Sequence, residues 1–320
     1  MTERRPTPEG VLAAAKRVAD HVTRTPLLPL EWGGGRVWIK AECLQQGGSF
    51  KLRGAFNRLL QLDEEERSRG VVAFSSGNHA QGVAIAARRL GIAATIVMPS
   101  DARTVKREAT LAAGAEIVAY DRMTESREEI GARLAAAKGA TLVPSFDDVD
   151  VIEGQGSVGV EIAVQLGGSP DTVLVPCGGG GLSGGIALAL PEAQVIAVEP
   201  AGWDDMGRSL EAGEPVPVGD DPPPTLSDAL QTKLVSPLTL GALRSRGARA
   251  VSVSEAEVEA AMAFAARHLR IVAEPGGAVA LAALLAGRAE GVTDRTVVVV
   301  SGGNVDPLLY ARILANQAAT

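Results

Sequence analysis

Between residues 70 and 143 the chain alternates short apolar runs with longer amphipathic ones. The runs at 71–74, 95–98, 116–119 and 141–143 are apolar and of strand length. The segments between them, at 81–90, 102–113 and 125–138, carry apolar residues at helical spacing and stop at Gly91, Gly114 and Gly139. Strand, helix and glycine stop in repetition predict a parallel sheet with crossover helices. Upstream, the spacing predicts helices over 8–22 and about 50–62, the second ended by the charged cluster 63–67. Extended chain at 24–27 and strand character at 37–40 lie between them. After a break at 144–150 the pattern resumes on a larger scale. It predicts a helix at 156–166, a strand at 173–175, a helix from Leu182 and a strand at 195–198. Helices near 236–245, 254–269 and 276–288 then lead to a last strand at 297–300, and the Pro/Asp-rich segment 214–225 is the longest irregular stretch. The expected organisation is a small α/β domain, 70–147, inserted in a larger α/β domain built from 1–69 and 148–320.

Composition narrows the classes. The 320 residues are 46% hydrophobic and 22% charged, an ordinary globular balance with ample core. Aromatics make up 3%, so the core is expected to be aliphatic and closely packed. A net charge of −7 with no Lys/Arg-rich block excludes nucleic acid as the main partner. No run of 18 uncharged apolar residues is present, and the first residues lack the apolar segment of a signal peptide, so a cytoplasmic protein with no membrane association is expected. Cys43 and Cys177 form neither a disulfide framework nor a zinc spacing.

Four polar or glycine-rich stretches stand at the ends of these elements. In 47–54, Lys51 follows two glycines and opens an amphipathic run; a lysine so placed can point into a cleft, where desolvation lowers its pKa and suits it to a Schiff base. Gly178, Gly179, Gly180 and Gly181 lie between a strand and a helix, where unpaired N–H groups and the positive helix end suit a compact phosphate. The spacing is neither the dinucleotide fingerprint nor a Walker loop. The loop 75–82 follows strand 71–74; it can offer backbone N–H groups to a carboxylate and the Asn78 amide to a ring hydroxyl, while His79 is given no catalytic role. Ser301 ends the final buried strand, and residues beyond the carboxyl ends of parallel strands face the ligand crevice. Separately, Glu199 and Asp205, with the Trp203 carbonyl between them, offer hard oxygen ligands to a cation.

These motifs, Ser-Phe-Lys-Leu-Arg-Gly-Ala, Ser-Gly-Asn-His-Ala-Gln-Gly, the glycine run and Ser-Gly-Gly-Asn-Val, resemble in order and spacing the serine/threonine dehydratase and serine racemase family. The resemblance spans nearly the whole chain. It implies a fold-type II pyridoxal-phosphate enzyme, tryptophan synthase β-like, with the cofactor between two parallel-sheet α/β domains. It further implies that Lys51 carries the internal aldimine, that Phe50 lies beside the pyridine ring, that Asn78 bonds the 3′-hydroxyl, that 178–182, ending at Leu182, hold the phosphate, and that Ser301 faces the pyridine nitrogen. A serine there leaves the cofactor a weaker electron sink than a carboxylate would, which favours β-elimination. Racemase-like members carry a divalent cation (Mg, Ca or Mn) at the motif matched by Glu199, Trp203 and Asp205. The family also implies a homodimer. No appended regulatory domain is visible, so feedback control by isoleucine is not expected.

The resemblance implies an ammonia-lyase that converts L-threonine or L-serine to a 2-oxo acid and ammonia, with Ser76, Gly77, Asn78 and His79 holding the substrate carboxylate. The alternative is a serine racemase with side elimination activity, or a 3-hydroxyaspartate ammonia-lyase. Ser76 stands where racemases place an acid/base, and Arg127 matches a racemase pocket position. Two departures from the pattern, Gly48 in place of threonine and Thr225-Leu226-Ser227-Asp228-Ala229 in place of Thr-Ile-Ala-Asp-Gly, leave the substrate open. A nicotinamide-dependent oxidoreductase lacks its ribose-binding acid here. A non-catalytic amino-acid-binding protein has no use for Lys51.

Overall fold

The computed structural model describes residues 4–75, 77–102 and 104–317. Among the described residues ten strands form two sheets: β1 (Leu27–Trp32), β2 (Gly35–Ala41), β3 (Val71–Phe74), β4 (Ala94–Pro99), β5 (Glu116–Tyr120), β6 (Thr141–Leu142), β7 (Thr172–Pro176), β8 (Gln194–Pro200), β9 (Arg249–Val253) and β10 (Thr296–Val300). The smaller sheet has the order β5-β4-β3-β6 and is parallel throughout. The larger has the order β1-β2-β10-β7-β8-β9, parallel except for the antiparallel edge pair β1–β2.

The helices are α1 (Pro8–Val18), α2 (Lys51–Leu60), α3 (Glu64–Arg69), α4 (Asn78–Leu90), α5 (Thr104–Ala112), α6 (Arg127–Lys138), α7 (Val149–Leu166), α8 (Gly181–Ala189), α9 (Asp205–Ala212), α10 (Pro237–Arg244), α11 (Glu255–Phe264), α12 (Pro275–Leu285) and α13 (Pro307–Asn316). The central strands β4, β7 and β10 are buried along their whole length, as strands covered on both faces must be. Alanine-rich α12 is buried almost all round, and its small side chains let it lie close to the large sheet.

The expected strand–helix alternation is present, with differences at its margins. The cluster 63–67 does not end a helix into loop; Asp63 caps a new one, α3, through a reciprocal bond with Glu66. No residue of α3 is buried, so it has no apolar stripe to read. The helix expected at 156–166 begins at Val149, where the Asp148 carboxylate accepts from the Val151 N–H at 2.9 Å. Its first turns are buried on all sides, which erases the amphipathic signal. Strands β1 and β9 and helices α9 and α13 were not expected. Pro29 argues against a strand but is tolerated in β1 because that strand lies at the sheet edge.

Topology then places the site. In the large sheet β10 and β7 are neighbours, so Ser301 and the glycine run leave adjacent strand ends. In the small sheet β3 lies between β4 and β6, where the chain direction across the sheet reverses, and the loop after it opens at that switch point.

Candidate active site

Lys51 is the first residue of α2, and the loop before it is pinned to the end of β10. The Phe50 N–H donates to the Ser301 carbonyl at 3.2 Å, and the Gly303 N–H to the Gly48 carbonyl at 2.9 Å. Gly48 has φ +73°, and a Cβ there would sit 2.2 Å from Asn304 Oδ1. The missing threonine thus has a steric cause: at this positive φ a β-branched side chain is strained, and its Cβ would press on Asn304.

Lys51 is half-buried, and its ammonium donates to the Ser145 carbonyl at 2.9 Å. Burial lowers its pKa to about 8, and its Nζ lies 5.2 Å from the centre of the Phe50 ring. Both residues line a cavity of about 130 Å³ with Asn78, Ser301, Glu274 and the glycine run.

The run 178–181 leaves β7 and enters α8 through Gly180 at φ +83°. A Cβ on Gly179 would fall 2.3 Å from the Phe146 ring, and one on Gly180 2.5 Å from Met206 Cε. The first N–H groups of α8 have no partner within the helix, so the loop is a cradle of backbone donors at a positive helix end. This fits a phosphate, and with Lys51 and Ser301 beside it the residues present fit pyridoxal phosphate.

The loop after β3 is more committed than its sequence suggests. The Gly77 N–H donates to the Ser75 hydroxyl at 3.1 Å. Asn78 opens α4 and donates through Nδ2 to Glu274 Oε1 at 2.5 Å. His79 Nε2 meets the Val143 carbonyl at 2.8 Å, so that nitrogen carries the proton. Burial, with Lys51 nearby, pushes the His79 pKa down to about 3, and the ring is neutral. Its side chain therefore serves the interior, as a non-catalytic histidine would. Ser76 lies outside the described residues.

Arg127 is exposed at the mouth of the cleft, where it begins α6. Its guanidinium lies 5.7 Å over the Phe74 ring, and its Nε donates to the neighbouring Glu128 at 2.8 Å. Glu274 and Phe146 were not singled out in the sequence. The signal for Glu274 is its position before Pro275 and two glycines, at the cap of a helix aimed at the cleft.

Glu199 and Asp205 are both buried beneath the glycine run. Asp205 does not lie in a loop but opens α9. The two Glu199 oxygens accept from the N–H groups of Met206 and Gly207 at 2.8 and 2.9 Å, and the Glu199 carboxyl is also hydrogen-bonded to that of Asp205. Burial, with Asp205 nearby, pushes Glu199 well above the usual carboxylate range; burial, with Asp204 beside it, raises Asp205 to about 7. Two buried carboxyl groups held against each other suit a cation, which would replace the shared proton. Among the described residues no three His, Cys, Asp or Glu side chains converge as a metal site, so a cation here needs carbonyls such as that of Trp203, and water.

The fold and cleft are those of a pyridoxal-phosphate enzyme of fold-type II. The sequence pattern of pyridoxal-phosphate dependent enzymes matches residues 18–302, and the chain belongs to that family. It is 43% identical over 312 residues to an L-threo-3-hydroxyaspartate ammonia-lyase of Pseudomonas sp, covering 95% of this chain and 97% of that protein. A protein of the same name from Saccharomyces cerevisiae is 39% identical over 320 residues, covering 98% and 97%. The structure of maize serine racemase superposes with a TM-score of 0.90 at 33% identity, covering 99% of each chain. The first two relatives are named as ammonia-lyases and the third as a racemase. Among the described residues no helix is long and apolar enough to cross a membrane.

Proposed function

We propose that the substrate is L-threo-3-hydroxyaspartate, which loses its Cα proton and β-hydroxyl as water to give an enamine; its imine tautomer then takes up water and releases ammonia, leaving oxaloacetate. The observation that carries this reading is Arg127. Of the described side chains lining the cleft, only Lys51 and Arg127 are cationic. Lys51 is committed to the chemistry, which leaves the Arg127 guanidinium for a second carboxylate, which threonine and serine lack. The names of the two relatives at 43% and 39% identity support the same class. L-Threonine and L-serine, the substrates expected from the motifs, become the poorer ones.

In this reading Lys51 is both anchor and base. With a pKa of about 8 roughly a tenth of it is neutral near pH 7, and the neutral amine takes the Cα proton. The Ser145 carbonyl aims that amine into the cleft. Gly178 to Leu182 and the start of α8 would hold the cofactor phosphate, Phe50 would flank the ring, Asn78 would meet its hydroxyl and Ser301 its nitrogen. Bound there, pyridoxal phosphate supplies the electron sink for the Cα carbanion. His79, neutral and tied to Val143, moves no proton. Glu199, Asp205 and the Trp203 carbonyl would hold a divalent cation under the phosphate loop. The domains 1–69 with 148–320 and 70–147 would close on the substrate, in a cytoplasmic homodimer.

The test is a parallel assay of 2-oxo acid and of enantiomer release from L-threo-3-hydroxyaspartate, L-threonine, L-serine and D-serine, with Arg127→Ala alongside. A half-exposed charge-assisted contact is worth about 1.5–2 kcal/mol, so Arg127→Ala should cost about 10- to 30-fold in kcat/KM on hydroxyaspartate and little on threonine. Equal losses on both substrates would remove Arg127 from recognition. The similarity to a serine racemase supports a second activity through Ser76. There, Ser76→Ala should abolish formation of D-serine while sparing elimination from L-serine.

A further inference from the structure

We propose that Glu274 and Asn304 are positioning residues that lock the Asn78 amide in one orientation, so that its remaining N–H, and not its carbonyl, faces the ring hydroxyl of the cofactor. The proposal rests on pyridoxal phosphate occupying this cleft and is independent of the substrate.

The orientation is set from both ends. At one end stands the backbone carbonyl of Gly47, which can only accept. Asn304 Nδ2 lies 2.8 Å from it, so the Asn304 atom there is the nitrogen. The same nitrogen lies 2.8 Å from Asn78 Oδ1, and 3.3 Å from Gln81 Oε1. The carbonyl edge of Asn78 is therefore occupied. At the other end, Asn78 Nδ2 donates to Glu274 Oε1 at 2.5 Å. A flip of the amide would set N–H against N–H on one side and carbonyl against carboxylate on the other. Two bonds would be lost and two repulsions made, in a side chain only 8% exposed.

Glu274 is itself built into place. It stands at the N-cap position of α12 before Pro275, with no capping bond from its side chain, and its N–H donates to the Gly302 carbonyl at 3.0 Å. A Cβ on Gly302 would lie 2.0 Å from Glu274 Oε1, so the glycine after Ser301 is what lets the carboxylate reach Asn78.

One hydrogen of Asn78 Nδ2 is left, and Asn78 lines the cleft beside Lys51 and Ser301. A donor aimed at the ring oxygen favours its oxyanion; a carbonyl there would favour the protonated hydroxyl. The polarity of a single amide thus sets the protonation of the bound cofactor, which its visible absorption reports.

The experiment compares absorption spectra of the cofactor-loaded chain across pH for Glu274→Gln, Glu274→Met, Asn304→Leu and the double variant Glu274→Met/Asn304→Leu. Cofactor content and circular dichroism are measured on each. Glutamine can still turn a carbonyl toward Asn78 and should keep the parent spectrum. Methionine keeps the volume but no acceptor, and should lower the ratio of the long-wavelength to the short-wavelength band at least threefold. Asn304→Leu should shift it the same way, and the double variant no further than the larger single shift, because both act through one amide. A parent-like spectrum in Glu274→Met overturns the proposal. So does a Glu274→Gln shift as large as that of methionine, which would make the charge the active feature. If Glu274→Met fails to load cofactor, Asn304→Leu decides alone, and an unchanged spectrum there overturns the proposal too.

Discussion

Arg53 stands two residues after Lys51 on α2, and its guanidinium is fully buried. Nε and Nη2 lie 2.8 Å from the two oxygens of Glu42, and Nη1 and Nη2 lie 2.7 and 2.9 Å from those of Glu161. Lys40, also fully buried, holds Glu161 at 2.6 Å. Replacing Arg53 with methionine keeps much of the volume but leaves Glu42, which is 0% exposed, with the Thr25 hydroxyl and only the charge of Lys40, which it shares with Glu161. Breaking a buried pair from one side costs about 3–5 kcal/mol. Glu161 keeps Lys40 and is partly hydrated, so the lower end, about 3 kcal/mol, is expected. The assay is urea unfolding of the cofactor-free chain at about pH 8 and about pH 5.5.

The dependence on pH separates this cause from a simple packing defect. In the parent, burial pushes Glu42 up, but the charge and hydrogen bonds of Arg53 outweigh it and hold the carboxyl below its ordinary value. Its stabilisation is then constant between about pH 5.5 and 8 and is lost only as the pH falls through the lowered folded value. In Arg53→Met burial prevails, the folded value rises above the unfolded one, and the native state binds the extra proton. Stability of the variant then increases as pH falls, and the deficit should shrink by about 1 kcal/mol or more from pH 8 to pH 5.5. An equal deficit at both values, or one under about 1 kcal/mol at pH 8, would refute the reasoning.

Gly179→Ala should weaken capture of pyridoxal phosphate at least tenfold while leaving the far-ultraviolet dichroism unchanged, since its Cβ would meet the Phe146 ring at 2.3 Å; near-parent affinity would show that the loop yields. The rate of covalent cofactor capture by the cofactor-free chain follows neutral Lys51 and should rise about tenfold between pH 7 and 9, levelling above the lowered pKa of about 8. A rate still climbing past pH 10 would mean an ordinary solvated lysine. Magnesium should raise the melting temperature of the parent and not that of Asp205→Asn, because the Asp205 carboxylate beside Glu199 would be the new ligand; an identical response in both would place the cation elsewhere.

What the sequence determined by itself was whatever lies along one element. The strand–helix alternation and its glycine stops were legible because burial of one face imposes a period on neighbouring residues. The glycine run and Lys51 were legible because each opens a helix, at Gly181 and Lys51. Elements without such a face, exposed α3 and the first turns of buried α7, left no period to read. Tertiary structure decided everything that depends on partners distant in the chain. It placed Asn304 against Gly48 and so excluded the threonine, tied His79 to Val143, and joined Asn78 to Glu274. It also put Asp205 at the start of a helix, with its carboxyl against that of Glu199. Periodicity reports which way a side chain points; hydrogen-bond commitment and pKa depend on what it meets there, and only the packed chain specifies that.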